Sequence, residues 1–290
     1  MKYSPDTVDL PALVGIDPGT SHIEVIRPIA AGETAQIEEA RKLFSVVSPI
    51  MAMFDMLHWN FQEIQSFTED LSKSYSGPPT ALSNANRLLL NYIASADALL
   101  DHFGTTYKRQ CRMKKMEVNG FDDLRRNLEN NDDDFEFFTH FRNYVIHVAP
   151  PVGNLTVTET LGTGRSWSIT YRSDDLSRDT RDRLSSCRML AKNETIDLIQ
   201  HLKRFHHLMT TRIFHEIVQC FTVNLKATSQ FHKTLAKDVA DRAPQLRPHL
   251  MTYRKQEGGR FKWTFDVLPR DLIAEFGIHF AEDQKDPQQQ

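Results

Sequence analysis

Apolar residues recur at helical spacing through two long stretches in the first half of the chain. The first stretch runs from about Thr34 to Lys73, and Pro49 inside it is expected to kink or split the helix. The second runs from about Thr80 to His102, where a broad apolar stripe is followed by Gly104, a residue typical of helix carboxyl ends. Both patterns predict amphipathic helices that bury one side.

Shorter patterns divide the rest of the chain. A short helix is predicted over 120–130. The three aspartates that follow it act as an amino cap for the apolar run Phe135–Val148, which Pro150-Pro151 ends. Helix is expected again from about Asp175 to Ala227, with residues 228–240 as its extension.

Two stretches favour extended structure instead. The runs Asn154–Thr160 and Arg165–Arg172 are rich in β-branched and aromatic residues and flank a glycine-containing linker, which predicts a β-hairpin. Residues 1–34 are rich in proline and glycine and carry short β-branched runs, so we expect an extended N-terminal arm or short strands there.

These elements predict a mainly helical chain with an inserted hairpin. We divide it into the arm at 1–34, a helical domain at 35–240 with the hairpin near 154–172, and a mixed C-terminal extension at 241–290. The polar end of that extension is expected to be a disordered tail.

Composition narrows the possible classes of protein. Lys and Arg total 35 against 38 for Asp and Glu, a formal net charge of −3, which argues against coating nucleic acid by bulk charge. The three cysteines are widely spaced, so we expect neither a disulfide framework nor a metal site built on cysteine pairs. The chain shows no secretory signal and no apolar run of the roughly 18 residues that a membrane span needs. We therefore expect a cytoplasmic protein without membrane association.

The densest functional signal lies at the end of the helix predicted over 135–148. There Arg142 is followed by Asn143, and His147 comes after four intervening residues. With this motif the chain resembles the HEPN superfamily, helical bundles of which many members are metal-independent ribonucleases. The resemblance covers about Thr80–Pro151 and implies an HEPN-like bundle.

The resemblance also implies an activity. HEPN nucleases cleave RNA without metal or other cofactor, by attack of a 2′-hydroxyl that leaves a 2′,3′-cyclic phosphate and a 5′-hydroxyl. Imidazole suits the proton transfers and guanidinium suits the phosphate, so His147 and Arg142, with Asn143 beside them, are the predicted catalytic residues. By analogy such an enzyme belongs to toxin–antitoxin or defence systems, with an antitoxin or regulatory protein as partner.

The spacing of the motif creates a geometric difficulty. Arg142 and His147 are five positions apart, which at about 100° per residue places them about 140° apart around a helix. One straight helix cannot bring both onto one phosphate. HEPN nucleases typically build their site across a homodimer interface, so the resemblance implies a homodimer. Asn143 is four residues before His147 and can orient its imidazole.

Further residues are predicted to bind the RNA substrate. His140 lies on the same polar stripe of the helix as Glu136, Asn143 and His147, and Tyr144 is next to the motif. The segment Lys108–Lys115 has five positive charges in eight residues and no acid. A loop of this composition can bind along the phosphates of an RNA strand. A charged segment that only faces solvent has the same composition. From this segment we predict Lys108, Arg109 and Arg112 as RNA contacts.

Alternative interpretations stay open. In the first, the chain is a non-catalytic HEPN-like binding or assembly module. In the second, it is an unrelated helical interaction protein in which Arg142 only pairs with acids. Two other signals favour structural explanations. Asp17-Pro18-Gly19 is typical of a simple turn. Four histidines crowd one helix, but no two are spaced for one zinc ion: His201, His206, His207 and His215.

Overall fold

The computed structural model describes residues 11–17, 19–20, 22–73, 78–114, 120–147, 154–160, 164–172, 187–192, 195–255 and 261–267. Over these residues the chain is mainly helical, as the sequence predicts, and it carries two small antiparallel sheets. No helix in this part of the chain has a stretch long and apolar enough to cross a membrane.

Seven α-helices are described. They are α1 (Ala31–Lys73), α2 (Pro78–Lys114), α3 (Gly120–Asn131), α4 (Asp133–His147), α5 (Arg188–Lys192), α6 (Leu198–Leu208) and α7 (Phe214–Arg242). A π-helical turn, Met209–Ile213, joins α6 to α7.

Seven strands complete the described part. They are β1 (Ala12–Ile16), β2 (Ile23–Pro28), β3 (Asn154–Thr160), β4 (Gly164–Arg172), β5 (Thr195–Asp197), β6 (Arg247–Lys255) and β7 (Phe261–Val267). They form one sheet in the order β2-β1-β6-β7 and a second in the order β3-β4-β5.

The chain divides into two compact units that are not consecutive in sequence. One unit comprises the described residues of 1–48 and 221–290, and the other those of 49–220. The first unit contains the four-stranded sheet. Its buried aliphatic cluster includes Leu13 on β1, Ile26 on β2, Leu235 and Val239 on α7, and Leu250 on β6. Each such side chain stabilises the unit by about 1.5–3 kcal/mol when fully buried.

The second unit contains most of the helices and the three-stranded sheet. The predicted hairpin is confirmed as β3 and β4, paired antiparallel from Asn154 opposite Thr170 to Thr160 opposite Gly164. The short strand β5 adds to it on the β4 side. Tyr171 of β4 is buried against the rings of Phe137 and Phe141 on α4. An aromatic layer therefore fixes this sheet against α4.

Two predicted helix boundaries differ from the structure. Helix α1 is not split at Pro49, and the residues on either side of it, Val47 and Ile50, are both buried. Helix α2 does not end at Gly104, because Phe103 and Cys111 are buried on both sides of it. A Cβ at Gly104 would lie 3.4 Å from the ring of Phe121, so the small residue serves packing there.

The remaining sequence predictions have mixed outcomes. The short helix over 120–130 is confirmed as α3, and residues 228–240 do extend the last helix. Expected strands in the arm are confirmed as β1 and β2. In the extension after 240 the structure has β6 and β7. The helix predicted over about 175–227 is interrupted by strand β5, and its residues 175–186, like the polar tail, lie outside the described residues.

Candidate functional site

Helix α4 carries the predicted motif, and the sequence predicts its beginning correctly. The Asp132 carboxylate accepts a hydrogen bond of 2.8 Å from the backbone N–H of Phe135, which satisfies a donor at the helix start. The predicted apolar side of α4 is buried at Phe137, Phe141 and Val145. Residues of the motif therefore have fixed directions around the helix.

Arg142 of α4 is held by a carboxylate on α2. Its Nη2 donates to Asp97 Oδ2 over 2.7 Å, and its Nη1 donates to Asn143 Oδ1 over 3.1 Å. The side chains of Arg142 and Asp97 are 33% and 23% exposed. Burial raises the pKa of Asp97, with Asp101 acting in the same direction, while Arg142 and Arg125 act against this. The guanidinium is fixed, and part of its charge is neutralised.

A small cavity lies beside Arg142. It is lined by residues of α2, α3, α4 and α6, and it leaves about 20 Å³ accessible to the centre of a water molecule. Arg142 Nε and Thr139 Oγ1 are both buried at this cavity, and neither has a hydrogen-bond partner among the residues that the structure describes. A volume of this size holds about one water, which would bridge the two atoms.

The other residues predicted near the motif differ in exposure. His140 and Asn143 are exposed on α4. Tyr144 is buried, with its ring 5.7 Å from Phe141 and 6.0 Å from Tyr171, so it belongs to the aromatic layer. Asn143 offers its amide oxygen to Arg142. His147 is the last residue of α4, and its side chain lies outside the described residues.

The basic segment is part of a helix and not a loop. Lys108, Arg109 and Arg112 lie in the last turns of α2, where burial of Cys111 keeps the helix intact. Lys108 pairs with Asp122 of α3 over 2.7 Å. Arg109 and Arg112 are exposed, so two of the three predicted RNA contacts face solvent.

A second cluster of polar side chains joins α4 to α6. The Asp134 carboxylate on α4 lies 2.5 Å from His201 Nδ1 and 2.7 Å from Arg204 Nε on α6. Asp134 is only 8% exposed. Burial raises its pKa, but the hydrogen bonds and charges of His201 and Arg204 outweigh this and leave the pKa lowered. The carboxylate is therefore ionised at neutral pH.

Sequence reasoning missed this cluster. The sequence pattern explains the aspartates at the start of α4 as caps, and the spacing of His201 from the other histidines argues only against a zinc site. His201 and Arg204 are three residues apart on one helix, which places them on one face and was a usable signal. Asp134 is 67 residues before His201, and no local pattern connects them.

A third polar contact lies inside the aromatic core. The ring of His206 stacks on Phe61 at 3.8 Å, and its Nδ1 lies 3.1 Å from the hydroxyl of buried Tyr92. Burial, with smaller effects of His58 and His207, lowers the pKa of His206 to about 4. This imidazole is neutral at physiological pH, and its tautomer decides whether Nδ1 accepts from the Tyr92 hydroxyl or donates to it.

Neither the Cys187 thiol nor a set of metal-binding side chains forms a reactive site in the described part of the chain. Burial, with a contribution from Glu136, raises the pKa of the Cys187 thiol to about 12, which leaves little thiolate at neutral pH. Among the described residues, no group of three or more His, Cys, Asp or Glu side chains is arranged to hold a metal ion.

Comparison of the chain with protein-family models, with curated proteins and with solved structures returns no match. The resemblance of the Arg142–His147 motif to the HEPN superfamily therefore stays a prediction from the sequence.

Proposed function

We propose that the chain is a metal-independent endoribonuclease of HEPN type that acts on cytoplasmic RNA. Arg142, Asn143 and His147 would act together on the scissile phosphate. His147 transfers a proton from the ribose 2′-hydroxyl or to the leaving 5′-oxygen, and Arg142 offsets the charge that the phosphate gains in the transition state. The products are a 2′,3′-cyclic phosphate and a 5′-hydroxyl.

The observation that carries the proposal is the fixed guanidinium of Arg142, five residues before the end of an unbroken helix at His147. A guanidinium has five N–H donors. Among the described residues, Asp97 and Asn143 each take one and Nε–H is buried, which leaves one N–H on each terminal nitrogen for a phosphate. A pre-positioned arginine loses less conformational entropy when it binds.

The angle between the two residues on α4 requires a second copy of the chain. Five residues of ideal helix separate Arg142 from His147 by about 140° around the axis and about 7.5 Å along it. Two antiparallel copies of α4 would place Arg142 of each copy near His147 of the other. We therefore propose a homodimer. A nuclease of this kind endangers its own cell, which favours control by an antitoxin or other regulatory protein.

The Asp97–Arg142 pair also supports a second candidate function. A carboxylate that already neutralises the arginine weakens its attraction for phosphate, and such a pair is common in purely structural interfaces. In this case the chain is a non-catalytic HEPN-like binding or assembly module.

RNA cleavage by the purified chain in EDTA tests the two functions against each other. We expect Arg142→Ala and His147→Ala to lower the cleavage rate at least about 100-fold while helix content and oligomeric state are kept. Arg126→Ala and His215→Ala are matched controls, because both residues are exposed on other helices. A wild-type dimer that cleaves no RNA would instead support the assembly module.

A further inference from the structure

The cluster of Asp134, His201 and Arg204 is more than a helix contact. Both carboxylate oxygens of a nearly buried aspartate are occupied, one by an imidazole and one by a guanidinium. Buried ion pairs seldom stabilise a fold better than apolar side chains of the same volume would. Stability alone therefore does not account for three ionisable groups at this place.

The carboxylate determines which nitrogen of His201 carries the proton. Nδ1 lies 2.5 Å from Asp134 Oδ1, and a carboxylate can only accept, so Nδ1 is the donor. Because Nδ1 then has no lone pair to offer, the nearby Arg204 Nη2 does not donate to it. In the neutral ring the lone pair lies on Nε2. An imidazole oriented by a carboxylate in this way is the usual form of a protein general base.

Arg204 supplies a positive charge on the same side of α6. It follows His201 by three residues, so the two side chains are about 60° apart around the helix. Arg204 Nη2 lies 3.3 Å from His201 Nε2, and the Arg204 side chain is 49% exposed. Arg204 Nη2 is closer still to Nδ1, at 2.6 Å, so the guanidinium lies against the imidazole ring and a proton acceptor and a cation are adjacent within one chain.

Asp134 neutralises part of this charge, as Asp97 does for Arg142, but the other neighbouring acids have different partners. Arg188 Nε lies 2.8 Å from Asp133 and 3.4 Å from Glu136. Asp197 accepts the backbone N–H groups of Ile199 and Gln200 as the amino cap of α6. Each of these carboxylates has its own partner, so an incoming phosphate meets the outer edge of Arg204.

We propose that His201 and Arg204 form a second phosphodiester site for RNA, with Asp134 as the positioning residue. The inference rests on the proposed ribonuclease function and adds a centre that is complete in one chain. His201 Nε2 would accept the proton of a ribose 2′-hydroxyl, and Arg204 would bind a non-bridging oxygen of the adjacent phosphate.

The reaction at this site balances without a further reactant. The 2′-oxygen forms a bond to phosphorus as its proton moves to Nε2. The bond from phosphorus to the 5′-oxygen then breaks, and that oxygen takes a proton from water, while the imidazolium returns its own proton to the resulting hydroxide. One strand becomes a 2′,3′-cyclic phosphate end and a 5′-hydroxyl end.

Cleavage assays with the full-length chain in EDTA test the catalytic part. Because the centre with His147 dominates cleavage by the wild-type chain, these variants are made in the His147→Ala chain, where we expect His201→Ala and Arg204→Ala each to lower the remaining rate about 100-fold or more. Added imidazole should restore part of the activity of His201→Ala, which a structural role would not allow. His207→Ala and Arg212→Ala, exposed on the same helical segment, should stay within about twofold of wild type. If the His147→Ala chain cleaves RNA equally fast with and without His201→Ala, this inference is overturned and the proposed function stands.

Binding of an uncleavable 2′-O-methyl RNA oligonucleotide tests the site independently of cleavage. We expect the His201 ring resonances in the NMR spectrum of the wild-type chain to shift on binding, and Arg204→Ala to abolish the shift. Ring resonances of His201 that do not respond to the oligonucleotide overturn the site, whether or not the chain cleaves RNA. If the chain cleaves no RNA but the His201 resonances shift, the proposed function and the proton transfer to His201 are overturned. The phosphate site is then supported.

Discussion

The guanidinium of Arg142 donates to the carboxylate of Asp97 over 2.7 Å, and this contact joins α4 to α2. It fixes the arginine of the predicted motif at the surface of its own chain and removes part of its charge. The same contact thus decides how well Arg142 can bind a phosphate and how firmly α4 is attached.

The Asp97–Arg142 pair should contribute measurably to stability. We expect Asp97→Ala to lower the free energy of unfolding by about 1 kcal/mol, because both side chains are partly shielded from water. Asp123→Ala, which removes the exposed pair with Arg126 on α3, should cost less than about 0.5 kcal/mol. Urea unfolding of these variants, and a double-mutant cycle with Arg142→Ala, measure the coupling. A coupling energy of zero would show that the contact is energetically neutral.

Stability should fall in mild acid because of His206. Its pKa is about 4 in the folded chain, against 6.5 for a free histidine. Between these values the unfolded state binds more protons, so the contribution is present above pH 6.5 and is lost as the pH falls towards 4.

The size of this effect can be isolated by substitution. We expect the free energy of unfolding of wild type to fall about 2 kcal/mol more than that of His206→Gln between about pH 7.5 and pH 5. His215→Gln replaces an exposed histidine and should follow the wild-type curve. Equal pH dependence of wild type and His206→Gln would contradict a neutral, buried imidazole.

Removing the Tyr92 hydroxyl should weaken the same core. Tyr92→Phe leaves His206 Nδ1 buried without its hydrogen-bond partner at 3.1 Å, and we expect a loss of about 1–2 kcal/mol in the free energy of unfolding. Combining Tyr92→Phe with His206→Phe removes both polar groups and should cost less than the two single losses added together. Simple additivity would show that the two side chains do not interact.

Two glycines in the unit that contains the four-stranded sheet should have opposite effects on stability when each is replaced by alanine. A Cβ at Gly15 in β1 would lie 2.7 Å from Leu246 Cβ, whereas nothing lies within 4 Å of one at Gly32 in α1. We expect Gly15→Ala to destabilise the chain by about 1–3 kcal/mol through overpacking. Gly32→Ala should stabilise it by about 0.5 kcal/mol through helix propensity. Thermal unfolding of both variants tests this, and a harmless Gly15→Ala would contradict the close packing of β1.

Local signals explain which parts of the fold were predictable. The cap at Asp132, the apolar side of α4 and the pairing of β3 with β4 depend on residues close together in sequence. The pairing of β1 with β6 joins Val14 to His249, a separation over which no sequence pattern carries information. No local pattern shows that Cys111 is buried, so the sequence predicts a loop for the charged segment around it.

Only the part of the candidate site that lies on one helix could be predicted from the sequence. The motif places Arg142, Asn143 and His147 on α4, but the partner of Arg142 comes from α2 and was not foreseen. The acids at the start of α4 were explained by capping, which is correct for Asp132. Asp134 differs because the packing of α6 on α4 brings His201 and Arg204 against it. That tertiary contact leaves no local pattern in the sequence.

The most direct test of the central claim is activity in a mixture of two inactive variants. If Arg142 of one chain works with His147 of another, Arg142→Ala and His147→Ala each lower RNA cleavage in EDTA at least about 100-fold. When the two variants are unfolded, mixed and refolded together, half of the dimers contain both chains, and each such dimer has one intact site. We then expect about a quarter of the wild-type rate. A mixture as inactive as its components would contradict a site shared between two copies.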